Sequence, residues 1–563
     1  MELNRKMSRF FLSMMVCGLM VPMIATAQTP PAKAPKPKPT VKPAEPPKPR
    51  PAAKAPVPAK PTPTVAPQAA PKSRLAAEPQ DTQAQMFLSL EEAVQLALQN
   101  NLDIQVQKYN PVIKREAIST AEAVFNLNLT AQGGETLNDP STTSAPKYAT
   151  SLQTGLSKRF ATGTTSSVSV STTRADFGGL EASVTVTDPQ TGAARVVKVP
   201  IDTSYGSKLT LTLAQALLKN RGTEVNTAQI VIARKQQTVS LSALRASVIS
   251  VITQVQNTYW QLLFARGNLD AKRLALQLAN DLVKINEAQV KVGTLAPLDV
   301  LQARTAVAAR ELDVISAEKS VRDAEDSLKQ LLNIAETDPN WGSAIIPTDA
   351  AGATQSLLTL TECLQAALAN REELKQLQIA IEIQELAVRV AENQLLPELN
   401  LQGSLGATGE DTAWGSSMSN LAKLDTRAIA IGVNFSYPLG NGAAKSALNT
   451  AKFTLDQTRL SVQNVEKQIT TQVKQAVRAV ETAGQLVNAS QFALQLAEQQ
   501  LDAEQKKYNE GLSTNYLVLT YQQSRASAQS SYTQALTSYS QALAALEQAI
   551  GMTLQRHNIV VNE

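Results

Sequence analysis

Apolar residues recur at alternating spacings of four and three over a very long stretch of the chain. Residues 223–292 contain no proline and one glycine, Gly267. The apolar positions, interrupted by Arg266, are Val248, Ile252, Val255, Tyr259, Leu262 and Leu269. This spacing places them on one helical face, as in a coiled-coil seam. The pattern predicts a helix of about seventy residues, on the order of 105 Å long, and residues 443–510 have the same character.

Each predicted long helix stops at a short turn that contains glycine. The turns are 292–297, with Gly293, and 510–515, with Gly511. Glycine ends helices because it adopts left-handed backbone without a Cβ penalty. A second helical stretch follows each turn, to about Asn333 or Met552. The sequence therefore predicts two helical hairpins, although general helix packing produces the same apolar stripes.

The period of the pattern drops to two in four shorter stretches, 125–132, 208–213, 399–405 and 429–437. Their apolar positions are Phe125, Leu127, Leu129, Ala131, Leu209, Leu211, Leu213, Leu399, Leu401, Leu405, Ile429, Ile431, Val433, Phe435 and Tyr437. Strands with one apolar and one small polar face suit a membrane β-barrel, with lipid outside and water inside. A soluble sheet that covers a core alternates in the same way, so the strands alone leave both structures open.

A helical stretch precedes the strands in each half of the chain. We predict one helix from Glu91 to about Val124, with Ser89 as its N-cap. We predict another from Thr361 to about Leu396, where Pro397 ends it.

The chain contains an internal duplication. Residues 90–100 match 360–370 at an offset of 270, and 275–279 recur as 493–497 at an offset of 218. Because such repeats set the architecture, we predict two similar halves. Their boundaries are a first repeat at 81–335, a linker at 336–357, a second repeat at 358–556 and a tail at 557–563. The difference between the offsets predicts an insertion near 140–205.

Two N-terminal segments stand apart from this body. Residues 1–27 have a basic start, an apolar run and a small-residue end, the order typical of a secretory signal peptide. Residues 28–80 hold 17 of the 28 prolines and ten Lys/Arg against two Glu. Proline fixes φ and lacks a donor, so we predict an extended, solvated arm. This arm is either a plain spacer or a contact for anionic polymer or lipid.

Few residues of the chain suit catalysis or metal binding. There is one histidine, His557, and two cysteines, Cys17 and Cys363, which argues against a His-dependent triad, a structural zinc site and an intrachain disulfide. Carboxylates such as Glu311 and Glu318 lie among Lys and Arg on predicted helix surfaces, as on a solvated face. We expect no enzyme, no cofactor and no bound metal. The net charge of +5 arises in the N-terminal segments, so nucleic-acid binding is not implied.

These features together resemble the TolC family of outer-membrane efflux proteins. The most specific motifs are 292–293 followed by Asp299-Val300-Leu301 at the first turn, Tyr437-Pro438-Leu439-Gly440 at a strand end, and Leu395-Leu396-Pro397 before a strand. Two positions depart from the family pattern. Ala216 stands where the family has proline, and Leu517-Val518-Leu519 replaces Asp-Val-Leu at the second turn.

The resemblance implies a mixed α/β membrane protein. It implies a homotrimer in which each subunit gives about four strands to a twelve-stranded outer-membrane β-barrel. An α-helical coiled-coil tunnel would continue the barrel into the periplasm of a Gram-negative cell. An open sheet edge is not tolerated in lipid, which also requires several copies. On this fold we expect the insertion to form an enlarged extracellular loop rather than an extra hairpin.

The resemblance also implies a function. It implies a passive conduit that exports substrates from the periplasm, with a periplasmic adaptor protein, an inner-membrane pump and outer-membrane lipid as partners. The first alternative is a secreted coiled-coil structural protein that tethers the cell wall. The second is an enzyme built on the insertion, but no group of catalytic residues supports it.

The turns of the hairpins are the expected functional sites. We expect the adaptor to dock on their exposed apolar residues, because such clusters usually await a partner. The docking residues are Gly293, Leu295, Leu298, Gly511, Leu512, Tyr516 and Leu517. By resemblance, Tyr508 and Asp299 form a latch that gates the channel. Packing of Tyr508 and helix capping by Asp299 are the alternative roles.

Overall fold

The computed structural model describes residues 85–138, 146–351 and 359–561, all within one compact unit, Gln80–Glu563. The expected signal peptide (1–27), the arm (28–80) and part of the linker lie outside the described residues. The helices, in chain order, are α1 (Leu90–Asn100), α2 (Leu102–Glu122), α3 (Thr223–Asn226), α4 (Ala228–Lys291), α5 (Pro297–Leu332), α6 (Leu360–Asn370), α7 (Glu372–Gln394), α8 (Trp414–Lys423), α9 (Gly442–Asn509), α10 (Asn515–Ile550) and α11 (Thr553–Arg556).

The strands follow the same numbering. They are β1 (Gln85–Leu88), β2 (Leu127–Leu137), β3 (Tyr148–Arg159), β4 (Thr164–Asp176), β5 (Glu181–Thr187), β6 (Ala194–Pro200), β7 (Ser204–Ala216), β8 (Ala344–Pro347), β9 (Glu398–Asp411) and β10 (Thr426–Ser436). Short 3₁₀ turns occupy Ala123–Phe125 and Pro339–Gly342.

Two long helical hairpins are the largest elements of the described chain. The first pairs α4 with α5, and the second pairs α9 with α10. The long helices predicted at 223–292 and 443–510 are confirmed, except that Thr227 separates the short α3 from α4. The helices α4 and α9 have 64 and 68 residues, so the four-three spacing of apolar residues did identify continuous helix.

The opening helices differ from the prediction, because each is broken once. Asn101 separates α1 from α2 in extended conformation, and its Oδ1 accepts the backbone N–H groups of Asp103 and Ile104. An asparagine at this position caps the second helix and thereby stops the first. Arg371 breaks the second opening helix between α6 and α7 with the same extended backbone, but its side chain does not cap α7. The N-cap predicted at Ser89 is confirmed as a capping box with Glu92.

A large antiparallel sheet lies at the end of the hairpins opposite their tips. Within the described residues its strand order is β10-β9-β7-β4-β3-β2. The four predicted strands correspond to β2, β7, β9 and β10. A separate two-stranded sheet pairs β5 with β6, and β1 pairs in parallel with β8.

The insertion overturns two expectations. We expected a loop and about four strands in each subunit, but the described sheet has six, because β3 and β4 separate β2 from β7. The hairpin fits there because β3 pairs with β2 and β4 with β7 along nearly their full lengths. Of the strands in the insertion that the structure describes, β5 and β6 alone stand outside the large sheet.

The main hydrophobic core lies where α1, α4, α5, β1 and β8 meet. Tyr259 is fully buried there, and its hydroxyl donates to the carbonyl oxygen of Leu88 (3.0 Å) or to Asp349 Oδ2 (2.7 Å). A second core joins α6, α9 and α10. Among the described helices, only α4 is long and apolar enough to cross a membrane by length and composition. Its apolar residues, among them Ile252 and Val255, are part of the main core.

Candidate functional site

The two hairpin turns have the same backbone geometry. In the first tip (residues 292–298), the N–H of Gly293 bonds to the Val290 carbonyl, and the N–H of Thr294 bonds to the Gln289 carbonyl. In the second tip (residues 510–517), Gly511 and Leu512 repeat the pattern with Tyr508 and Lys507. This pair of bonds is the Schellman motif. Both glycines have φ between 74° and 78°, a left-handed conformation that other residues adopt only with strain.

The tips expose apolar side chains, as predicted. Among the expected residues, Leu298, Leu512, Tyr516 and Leu517 are exposed, whereas Leu295 is half-buried. Val292 and Leu301 are also exposed, and the sequence reasoning did not include them. Each tip therefore presents apolar surface to solvent in the isolated chain.

The proposed gate residues lie close together, but their direct partners differ from the expectation. The Tyr508 hydroxyl donates to Asn286 Oδ1 at 2.6 Å and lies 3.4 Å from Gln289 Oε1. Burial raises the pKa of Tyr508, and the nearby Asp299 carboxylate raises it further. The phenol therefore stays protonated and remains a hydrogen-bond donor at neutral pH. Within the described chain its partner is Asn286 rather than Asp299.

A second contact joins the two tips directly. The Asn515 side-chain amide donates to the backbone carbonyl of Asp299 at 3.1 Å. Around it, Leu282, Tyr508 and Val518 form a small core. Asn286 Nδ2 and Asn515 Oδ1 are buried there without a hydrogen-bond partner. Buried polar atoms of this kind are uncommon and costly, so this contact is less stable than a fully paired one.

The second tip is also held by a charged cluster. The Ser513 hydroxyl donates to Glu504 Oε1 at 2.5 Å, and Lys507 Nζ lies 3.4 Å from Glu504 Oε2. The Ser513 hydrogen bond and the Lys507 charge together lower the pKa of Glu504. An ionised carboxylate at this position ties the turn back to the end of α9.

Sequence reasoning missed Asn286, Glu504 and Asn515. A signal existed for Asn286, because the buried positions of α4 continue as Ala275, Ala279, Leu282 and Asn286 with the same four-three spacing. A polar residue at a seam position often specifies how helices pair. The pairing of Glu504 with Ser513 depends on the shape of the turn, which no periodicity reveals.

One face of the large sheet is apolar and exposed. Its exposed large residues on the four predicted strands are Leu127, Leu129, Leu211, Leu213, Leu401, Leu405, Ile429, Ile431, Val433 and Phe435. Helix α8 covers this face near one end of the sheet, over β9 and β7, where Ser417 Oγ lies 2.8 Å from both Ser207 Oγ and the Gly409 carbonyl oxygen. Exposed apolar surface of this extent marks a contact with lipid or protein.

No metal site is found in the described part of the chain, where no three His, Cys, Asp or Glu residues group together in a way that could hold an ion.

An exposed apolar sheet joined to long helical hairpins defines an architecture of the outer-membrane channel type. The chain belongs to the outer membrane efflux protein family, whose family model matches residues 203–333 and 363–552. As a member of this family it is located in the outer membrane. The family is one of channels rather than enzymes.

Individual relatives agree with this assignment. Outer membrane protein TolC of Salmonella enteritidis is 23% identical over 295 residues, which are 50% of this chain and 58% of that protein. Toxin and drug export protein A of Aggregatibacter actinomycetemcomitans is 23% identical over 169 residues, 30% of this chain and 36% of that protein. The matched part thus spans less than two thirds of either relative.

The fold is shared with solved outer-membrane channels. The crystal structure of the Campylobacter jejuni CmeC outer membrane channel superposes with a TM-score of 0.60 at 18% identity, covering 82% of this chain and 86% of that one.

Proposed function

We propose that this protein is the outer-membrane duct of a tripartite efflux or type I secretion system. Three copies would form a passive conduit from the periplasm to the exterior. The large sheet is the observation that carries the proposal, because one exposed face is apolar and the other is lined by small polar residues. Lipid against the first face leaves the second to line a water-filled path.

The free edges of the sheet support assembly into a closed barrel. Within the described residues, β2 and β10 are the two edge strands. Edge strands have unpaired backbone groups, and each such group costs several kcal/mol in lipid. Pairing the β10 edge of one copy with the β2 edge of the next removes this cost. The family resemblance implies that three copies assemble.

The hairpin tips would receive the partners. Their exposed apolar residues, among them Leu298, Leu512 and Tyr516, suit a periplasmic adaptor that connects the duct to an inner-membrane pump. A gate at the same end would involve Tyr508 and Asp299, with Asn286 as the partner inside one chain. Residues 1–27 would direct export, and residues 28–80 would be a spacer before the two repeats at 81–335 and 358–556.

The alternative of a soluble cell-wall tether fits the sheet poorly. A tether has no use for a broad exposed apolar face, and monomeric soluble proteins rarely expose a contiguous apolar patch above a few hundred Å². The proposal needs no catalysis and no nucleic-acid contact.

Membrane fractionation and a bilayer recording test the proposal. The full-length protein should extract from the outer membrane only with detergent. It should migrate as a trimer on a denaturing gel until heated, and it should open discrete conductances in a planar bilayer. A soluble protein without conductance would support the tether instead.

A further inference from the structure

The strand hairpin β3–β4 carries an inference about the width of the duct. We propose that this hairpin spans the outer membrane as part of the barrel wall, so that three copies close an eighteen-stranded barrel rather than a twelve-stranded one. The inference rests on the proposed trimeric duct.

The register places the inserted strands within the same two faces as their neighbours. One row across all six strands is apolar, consisting of Leu129, Leu156, Val168, Leu211, Leu405 and Ile429. The adjacent row on the opposite face is small or polar, consisting of Thr130, Gly155, Ser169, Thr210, Gly406 and Ala428. A hairpin lying outside the membrane has no reason to continue both rows. The apolar row marks β3 and β4 as lipid-facing on one side.

The hairpin also extends over the full height of the sheet. Its turn at 160–164 lies at the end of the sheet from which the helices start. There the N–H of Gly222 donates to the Thr162 carbonyl at 3.2 Å, and Gln215 Nε2 lies 3.4 Å from the same oxygen. Gly163 has a φ of 87°, and a Cβ at this position would overlap the carbonyl oxygen of Asn220. The turn therefore packs against the segment that connects β7 to α3.

Strand length and direction agree with a membrane span. Strands β3 and β4 have 12 and 13 residues, whereas a tilted transmembrane strand needs roughly 9–11. Because the insertion adds two strands, the edges β2 and β10 still run in opposite directions. The β10 edge of one copy can therefore pair with the β2 edge of the next in the same antiparallel manner as within the sheet.

Helix α8 sets the upper limit of the apolar band. It covers the row that contains Ser207 and Gly409, and it exposes Ser416, Ser419 and Lys423 together with Trp414. A polar surface with one tryptophan belongs at the boundary of the hydrocarbon, where aromatic residues of membrane barrels lie. On the apolar face of β9 the uncovered stretch runs from Leu399 to Leu405, because Ala407 is already buried.

An eighteen-stranded barrel would be wider than the helical tunnel below it. Barrel diameter grows roughly in proportion to strand number, so eighteen strands give a barrel about 1.5 times as wide as twelve. The β3–β4 hairpin turns back on itself at 160–164 and adds no helix to the tunnel. The helical tunnel, rather than the barrel, would therefore limit the size of the cargo.

Single-cysteine labelling tests the position of the hairpin. In full-length protein with Cys17 and Cys363 replaced by serine, single cysteines are placed at Ser167, Val168, Ser169 and Val170 in β4. Matched controls are Thr210 and Leu211 in β7. Trimers in liposomes are treated with a membrane-impermeant maleimide. We expect positions 167, 169 and 210 to react at least tenfold faster than 168, 170 and 211.

The outcomes separate this inference from the proposed function. Uniform reaction along β4 with alternation in β7 would overturn the eighteen-stranded barrel and leave the duct in place. Absence of alternation in β7 as well would overturn both. Electron cryomicroscopy of the unmodified trimer gives a second measurement, since a count of twelve transmembrane strands would contradict the inference and eighteen would support it.

Discussion

The Tyr508 hydroxyl lies 2.6 Å from Asn286 Oδ1, and this hydrogen bond joins the two helical hairpins beside their tips. Tyr508 is 5% exposed and Asn286 is fully buried. The two residues are 222 positions apart and belong to different halves of the chain. Any separation of the two hairpins at this point has to break this bond.

The first prediction concerns this bond. Replacing Tyr508 by phenylalanine leaves Asn286 buried without its partner, which costs about 1–3 kcal/mol. We expect Tyr508→Phe to raise the single-channel conductance of purified trimers in a planar bilayer. Asp299→Ala should raise it as well if the carboxylate takes part in the closed state.

Two further variants make the result specific. Tyr516→Phe is the matched control, because Tyr516 is exposed at the same tip, and its conductance should equal that of the unmodified protein. An increase in Asn286→Ala would locate the closing bond within one chain. Unchanged conductance in both Tyr508→Phe and Asp299→Ala would remove the gate.

The second prediction concerns docking at the tips. Leu512 is 79% exposed, so Leu512→Asp should fold normally while placing a charge in the contact with the adaptor. We expect loss of efflux in cells, with normal trimer content in the outer membrane. Val560→Asp is the control, because Val560 is equally exposed and lies beyond the other end of α10. Leu295→Asp is less clean because Leu295 is half-buried. Normal efflux in Leu512→Asp would contradict docking at this tip.

The third prediction is a pH dependence of the second tip. The pKa of Glu504 is lowered in the folded protein by Ser513 and Lys507, so ionisation of Glu504 stabilises the fold above the unfolded carboxyl pKa of 4.5. This stabilisation is lost as the pH falls through the lowered pKa. We expect Ser513→Ala to lower the melting temperature at pH 7. The difference should disappear once the pH lies below both pKa values, and a constant difference across pH would contradict the assignment.

The fourth prediction concerns the Pro/Lys-rich arm. Residues 28–80 contain 17 prolines and little apolar surface, so they offer little to an assembled barrel. We expect deletion of this segment to leave the heat-modifiable trimer unchanged on denaturing gels. Loss of the trimer on deletion would show that the arm takes part in assembly.

Periodicity in the sequence was sufficient to predict the helical hairpins and the four strands. The spacing from Val248 to Leu269 fixed α4 because a continuous apolar seam exists only if the backbone is helical throughout. Gly293 and Gly511 marked the tips because a Schellman turn needs a residue that tolerates left-handed backbone. The family motif at the first turn, together with those beside the strands, then indicated the outer-membrane class.

The tertiary structure decided what depended on partners distant in sequence. About half of the residues of β3 and β4 are Ser or Thr, which by themselves fit a loop as well as a strand. Only the pairing of Leu156 with Leu129 and of Val168 with Leu211 shows that the hairpin shares the apolar face. The partner of Tyr508 was likewise decided by packing between the hairpins. Local patterns determine each element, whereas the neighbour of an element is set by contacts that local patterns do not contain.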